Sequence, residues 1–426
     1  MFTFRAKFGR RQRHRCSPPG LRSHLSMERL EDRSMLSVVL PQTASSVTVM
    51  SQNLSLGADV TPVIDAILTG SQKTITSAVT TAWQTIQASN FPLRAMTIAS
   101  EIASASPGLV GLQEAALFHV AGAVPAQGDY LQLLVKDVND QLKTLGKSYT
   151  YTAVAVTNEA DLTFSGYTSP GVLKSIELTD RDAILARSDV APSISNVQQQ
   201  HFVHDIVLPV GLTGKTVTIF RGWESVDVQM GGQQVRVINT HLEIGDNLIA
   251  EAVQVTQALE LLKGPALTSK PTILLGDFNA DADAGWLSYR ILVGAGFGDA
   301  WTKTHSNNPG YTWPLPPTHG GNERIDLVLF RGGFSATSMS IVGTSLIPST
   351  SLYPSDHAGI VATLSLTTSH ATQATSASTN SPLTAFYALA DQAIGSLSGA
   401  VSTTLSVLGK PKGILDAIDQ IFASIF

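Results

Sequence analysis

Several things are scarce in this 426-residue chain, and each scarcity excludes something. Its one cysteine, Cys16, leaves neither an intramolecular disulfide nor a cysteine-ligated metal centre available. That scarcity assigns no compartment, because large exported proteins fold without disulfides. Only 14% of the residues are charged and 7% aromatic. No uncharged apolar run reaches the length and quality of a transmembrane segment, since 392–409 is broken by Ser, Thr and Gly. No internal repeat is found. What is present is a 43% hydrophobic fraction, enough to build a core and to exclude disorder throughout.

The formal net charge of -5 is unevenly spread. Residues 1–45 carry nine Lys/Arg against three Asp/Glu, and residues 46–366 carry 17 against 27. An acidic body argues against tight, sequence-independent nucleic-acid binding, which needs Lys/Arg to neutralise phosphates. It does not exclude catalysis on a phosphate ester, because a bound divalent cation inverts the local sign.

Composition divides the chain into four expected parts. Residues 1–45 form a basic leader, with Arg10, Arg11, Arg13 and Arg15 ahead of Met27-Glu-Arg-Leu-Glu-Asp-Arg-Ser-Met-Leu-Ser37. A secretory signal needs about 7–15 apolar residues directly after its basic region, and charged residues interrupt that here. The segment is similar to the LEDR-x-LS sequences ahead of planctomycete-type exported and surface proteins. That resemblance implies an extracellular or cell-surface location; the alternative is a disordered basic tail on a cytoplasmic protein. Residues 46–366 read as one mixed α/β region, with strands expected at 47–50, 109–112, 183–186, 216–220, 235–242, 272–275, 325–330 and 359–364. Helices are expected at 61–68, 93–102, 130–145 and 248–262. Residues 367–383 read as a Ser/Thr/Ala-rich linker. In 384–426, Ile414, Leu415, Ile418, Ile421, Phe422, Ile425 and Phe426 recur at helical spacing opposite Asp416, Asp419 and Gln420, an amphipathic helix. Its acidic polar face favours docking on the protein itself or another copy over anionic lipid.

Five short patterns set polar groups at or just after apolar strands: Ser51-Gln-Asn53, Gly111-Leu-Gln-Glu114, Asn239-Thr-His241, Gly276-Asp-Phe-Asn279 and Ser355-Asp-His357. Strand alternation puts Asn239 and His241 on one face, and Asp277 and Asn279 on one face with Phe278 turned into the core. Asp356 and His357 serve one site only if the chain turns there, which Pro354 and Gly359 favour. A single strand-end histidine is ordinarily structural, so the joint order and spacing carry the information.

In that order the patterns resemble the endonuclease/exonuclease/phosphatase family, which includes DNase I-like nucleases, neutral sphingomyelinases and inositol-polyphosphate 5-phosphatases. The resemblance covers roughly residues 47–364. Gly310-Tyr-Thr-Trp313 and Arg324-Ile-Asp-Leu-Val-Leu329 are similar to the family's penultimate motif. The implied fold is α+β (mixed α/β), a four-layer α/β/β/α sandwich of two mixed β-sheets flanked by helices. The resemblance also implies that Glu114 is the main carboxylate ligand of Mg²⁺, with Mn²⁺ the alternative ion, and that Asn53 and Asp356 complete its surroundings directly or through water. Asp277 and Asn279 match a D-x-N pair that orients the attacking water or the leaving group. His357 would contact the scissile phosphate or act as general base, with Asp326 orienting its ring, and His241 would hold a phosphate oxygen or assist the leaving group. Arg181-Asp182 either borders the site or opens an exposed strand.

The implied activity is Mg²⁺-dependent phosphoester hydrolysis, of a diester before a monoester. DNA or RNA, a phospholipid head group or an inositol phosphate is the implied substrate. The acidic body weighs against a high-affinity nuclease. The Asn-Thr-His-Leu and Ser-Asp-His wording is similar to the sphingomyelinase branch, which an apolar hairpin near the site would support, and no segment of the sequence identifies one. The alternative is a non-catalytic surface or binding module on the same fold; such relatives lose ligands, whereas all the site residues named above are present here.

Overall fold

Successive strand side chains point to opposite faces, and in this chain both faces of the central strands are apolar, so each sheet needs a cover on both sides. The computed structural model describes residues 45–245, 247–317 and 321–367. Apart from Ser45 and Thr367, the basic leader, the Ser/Thr/Ala-rich linker and the expected C-terminal amphipathic helix lie outside the described residues.

In chain order the elements are β1 (Ser45–Asn53), α1 (Thr61–Thr69), α2 (Gln72–Ala88), α3 (Phe91–Ala105), β2 (Leu109–Gln113), β3 (Leu117–Val120), α4 (Tyr130–Thr144), β4 (Tyr151–Ser169) and β5 (Val172–Arg187). There follow β6 (Ile194–His201), β7 (Ile206–Pro209), β8 (Thr216–Ile219), β9 (Gly222–Met230), β10 (Gln233–His241), α5 (Leu248–Lys263), β11 (Thr272–Asp277) and α6 (Leu287–Gly294). Last come β12 (Gly298–Asp299), α7 (Ala300–Thr304), β13 (Asp326–Arg331), β14 (Phe334–Val342) and β15 (Gly359–Leu366).

One mixed sheet has the order β14-β15-β1-β2-β5-β3, with β4 also paired to β5; a second has the order β12-β13-β11-β10-β9-β6; β7 and β8 form a separate hairpin. Alternation then sorts the side chains into three apolar layers. Val49, Leu109 and Ile184 of the first sheet meet Val226, Val237, Leu275 and Val328 of the second. Met50, Val110, Leu112 and Leu185 turn outward to Trp83, Ile98 and Leu134 of the helices. Ile238, Leu274 and Leu327 turn the other way, to Leu259 and Ile291. The result is the α/β/β/α sandwich. Each buried Leu or Ile is worth about 1.5–3 kcal/mol, so a one-residue register slip, which would exchange layers, is strongly disfavoured.

The elements the sequence reading did not anticipate have weak local signals. Helix α2 is rich in Thr and Ser, poor helix formers, yet Ile75, Val79, Trp83 and Ile86 recur on one buried face, and the Ser71 side chain accepts a hydrogen bond from the Thr74 N–H at its start. The expected strand at 183–186 is the last part of the longer β5, whose first part pairs with β3 and whose last part pairs with β2. Among the described residues, no helix is long and apolar enough to cross a membrane.

The second sheet is tied by an ion cluster. Asp227 on β9 lies directly opposite Arg236 on β10, bonds its guanidinium, and also accepts from Lys270 Nζ at 2.7 Å and Asn196 Nδ2 at 2.9 Å. Burial alone would push this carboxyl up, but Arg236, Lys270 and Asn196 hold it down at about 2. A depressed carboxyl pKa stabilises the fold above the unfolded value near 4 and loses that contribution as pH falls towards 2. Asp227→Asn is expected to cost about 3–5 kcal/mol at pH 7, because Arg236 is left buried without its partner. The gap between wild type and variant should narrow by roughly 2 kcal/mol between pH 4 and pH 2; urea unfolding across that range checks it.

Candidate active site

The site forms where strands of both sheets end together. Strands β1 and β2 run parallel, with Asn53 opposite Gln113, and β10 and β11 run parallel, with His241 opposite Asp277. Asp277 is in turn opposite Asp326, the first residue of antiparallel β13. Register alone therefore places His241, Asp277 and Asp326 in a row. Two carboxylates directly opposite would repel, and His357 sits between them: its Nδ1 is 3.0 Å from Asp326 Oδ2 and 3.7 Å from Asp277 Oδ2.

Asn53 joins the two sheets across this row. Its Nδ2 donates to Glu114 Oε1 and to Asp277 Oδ2, both at 3.0 Å, while its Oδ1 accepts from the Ser55 N–H. Glu114 leaves β2 with φ of 54°, a left-handed conformation that turns the chain and carries its carboxylate to the site; its Oε2 accepts from the Leu56 N–H at 2.7 Å. Behind them Gln113 Nε2 donates to Asn239 Oδ1 at 2.7 Å, so Asn239 locks the sheets together. Gly111 is required at this crossing, because a Cβ there would overlap Asn239 Oδ1 and Leu275 Cδ1.

Asp277 and Asn279 converge, but not on a continuing strand. Asn279 lies beyond β11 with φ of 46°; its N–H donates to Asp277 Oδ1 and its Nδ2 to the Leu242 carbonyl, while Phe278 is buried in the outer core. The turn comes from this local side-chain acceptor, which competes with the ladder. Asp356 and His357 diverge: His357 is buried and Asp356 exposed. Ser355 sets the bend, its hydroxyl donating to the Asn53 carbonyl at 2.8 Å and accepting from the His357 N–H.

Burial shapes the charge states. It raises Glu114 to about 7, helped by Asp180 and Asp356, and raises Asp277 to about 6. Burial opposes a charged His357 ring, but Asp326 and Asp277 outweigh it and push its pKa well up. His241 goes the other way: burial, then Arg221 and His357, push it well below the usual imidazole value. Arg221 Nη1 faces the neutral ring, 2.9 Å from His241 Nδ1 and 3.3 Å from its Nε2.

The Endonuclease/Exonuclease/phosphatase family model matches residues 86–357. The chain belongs to this family. Solved structures similar to this endonuclease/exonuclease/phosphatase chain include truncated TDP2 from Caenorhabditis elegans, 19% identical with a TM-score of 0.44 over 75% of this chain and 97% of that one. Another is D. rerio TDP2 complexed with single strand DNA product, at 18%, 0.43, 75% and 98%. A third is a family protein from Bacteroides thetaiotaomicron, at 19%, 0.44, 76% and 98%. No curated protein matches the chain in sequence.

Members of the endonuclease/exonuclease/phosphatase family are typically phosphoester hydrolases that use a divalent metal, and the donors here fit one. Glu114, Asn53 and Asp356 offer oxygen chemistry suited to Mg²⁺, and each Glu114 oxygen accepts only one hydrogen bond, leaving a lone pair free. One donor atom from each of Asp277, Asp326 and His357 also lies within 4.8 Å of the others, and Asp326 Oδ1 is buried without a partner.

Of a second group behind His241, sequence reasoning singled out only Asp182. Glu159 on β4, Asp180 and Asp182 on β5, and Glu224 on β9 are all buried, with Arg221 among them. Asp182 Oδ1 is 3.9 Å from His241 Nδ1, so Asp182 borders the site, while Arg181 turns to Asp129 at 2.6 Å. Strand parity was the available signal: Asp182 shares the face of Ile184, and Glu224 that of Val226, both in the inter-sheet core. Both oxygens of Glu159 and of Asp182 lack hydrogen-bond partners. Desolvation, then neighbouring carboxylates, raise Asp182 well above its usual value. A raised carboxyl pKa removes stability as pH climbs above about 4. Asp182→Asn, neutral at every pH, is therefore expected to melt higher than wild type at pH 8 and level with it at pH 4, by calorimetry at both pH values.

Proposed function

We propose that this chain is a divalent-cation-dependent phosphoester hydrolase acting on diesters. The observation that carries this reading is the convergence of Asn53, Glu114, His241, Asp277, Asp326 and His357 where the two sheets meet. When bound beside Glu114, with Asn53 and Asp356 completing its surroundings, a Mg²⁺ or Mn²⁺ ion supplies Lewis-acid polarisation of a phosphoryl oxygen.

The chain's own groups do the rest. Asp277, raised to about 6 and held by Asn53 and Asn279, is placed to orient water and accept its proton. The water oxygen bonds to phosphorus, the ester P–O bond breaks, and the departing alkoxide takes a proton from solvent to leave as an alcohol, with a phosphate monoester remaining. His357, its Nδ1 held by Asp326, presents a positive ring that balances charge on the phosphoryl oxygens. His241, held neutral and with Nε2 3.6 Å from Asp277 Oδ2, lies beside the reacting row, where its ring can meet a phosphate oxygen.

Glu114→Ala or His357→Ala is expected to lower Mg²⁺-dependent hydrolysis of bis-p-nitrophenyl phosphate by about 10²–10⁴-fold with an unchanged circular dichroism spectrum; activity at the wild-type level would refute the site. A panel of plasmid DNA, RNA, sphingomyelin and inositol phosphates, each with Mg²⁺ and with EDTA, reads the natural substrate. Failure of the folded protein to cleave any of them or the synthetic diester would favour a binding module.

A further inference from the structure

Beside the catalytic carboxylates lies a cavity of about 190 Å³ that the proposed chemistry does not use. Helices α1 and α2, the β4–β5 hairpin and the β7–β8 hairpin wall it, with Ile67, Trp83, Ala160, Phe164, Leu178 and Val217 among its lining. The Gly211 N–H donates to the Ile67 carbonyl at 3.1 Å, fastening the loop between β7 and β8 to α1. Its charged lining residues are Glu114, Asp180, Arg221 and Glu243. These form one cluster, since Arg221 Nε is 4.0 Å from Glu243 Oε2 and Asp180 acts electrostatically on both Glu114 and Arg221.

Protein interiors rarely leave voids larger than a water molecule, and apolar walls give water no partners. An apolar cavity touching a catalytic carboxylate is therefore built for part of a substrate. Its charged end decides what the rest of that substrate is: Arg221 is buried, and its Nε, 4.0 Å from Glu243 Oε2, makes no hydrogen bond, so an anionic head can pair there in place of Glu243 while Glu114 lies on the reacting side. Drug-sized ligands fill about 300–1,000 Å³, and this space is smaller, enough for one chain and not two. Phe220 and Ile244, partly exposed, continue the apolar surface outward from the cavity. A nucleobase would bring hydrogen-bonding edges to walls that cannot answer them.

Resting on the hydrolase reading above, we infer that the substrate is a single-chain amphiphilic phosphodiester, its alkyl chain in this cavity and its phosphate between Glu114 and Arg221.

The test is a series of alkyl p-nitrophenyl phosphates, methyl through dodecyl, with the full chain and Mg²⁺, below their aggregation concentrations. kcat/KM is expected to rise about fourfold per methylene, the transfer preference of one buried CH₂, until the cavity is full, and then to level off. Ala160→Phe, which fills the cavity, should flatten that rise; Ala82→Trp on α2 fills it from the helix side should the first variant not fold. A flat series with the methyl ester still hydrolysed overturns the inference and leaves the hydrolase reading intact. A rise that persists in the filled variant also overturns it, because the chain then binds elsewhere. If no ester is cleaved, the hydrolase reading fails, and calorimetry decides the cavity alone: octyl phosphate binding no more tightly than methyl phosphate overturns it.

Discussion

The pairing register of β10, β11 and β13 is the constraint on which the site depends. It sets His241, Asp277 and Asp326 side by side in a buried row. Two carboxylates so placed are tolerable only with a positive or hydrogen-donating group between them, and His357 and Asn53 fill that need. Both come from the other sheet or its edge. The same electrostatic demand that shapes the chemistry thus pulls the two sheets together at one end, while apolar packing between Ile184, Val237 and Leu275 holds them along the rest.

Two kinds of space meet at Glu114. On one side are groups that donate, accept and hold charge; on the other is a cavity whose walls, away from Asp180, Arg221 and Glu243 at its charged end, are apolar. Arg221 belongs to both, since it bonds the His241 ring and lines the cavity. A change at Arg221 therefore reaches both the imidazole that would touch phosphate and the charged end of the cavity. Burial, then Arg221 and His357, push His241 well below the usual imidazole value, so that ring stays neutral despite the acids Glu159, Asp182 and Glu224 behind it.

Much of this was legible in the chain. The apolar runs at 47–50, 109–112, 272–275 and 359–364 became β1, β2, β11 and β15, because strands buried on both faces need uninterrupted apolar residues. Helix α2 was not legible, because its Thr-rich sequence has little intrinsic helix preference and is held by packing of Ile75, Val79 and Trp83. The β4 strand was hidden for a similar reason: its polar alternation reads as surface, whereas Glu159 on it is fully buried. The turn at Asn279 was missed because strand parity was carried two residues beyond the true end of β11.

By itself the sequence determined the order of the motifs, the family they resemble and which side chains of a strand share a face, since these follow from spacing and alternation along the chain. Only the tertiary structure decided that Asn53 and Glu114 meet Asp277 from a different sheet, that His241 is neutral while His357 is charged, and that an apolar cavity opens against Glu114. Distances through space and the loss of water around buried charges control those outcomes, and neither is written in any local stretch of residues.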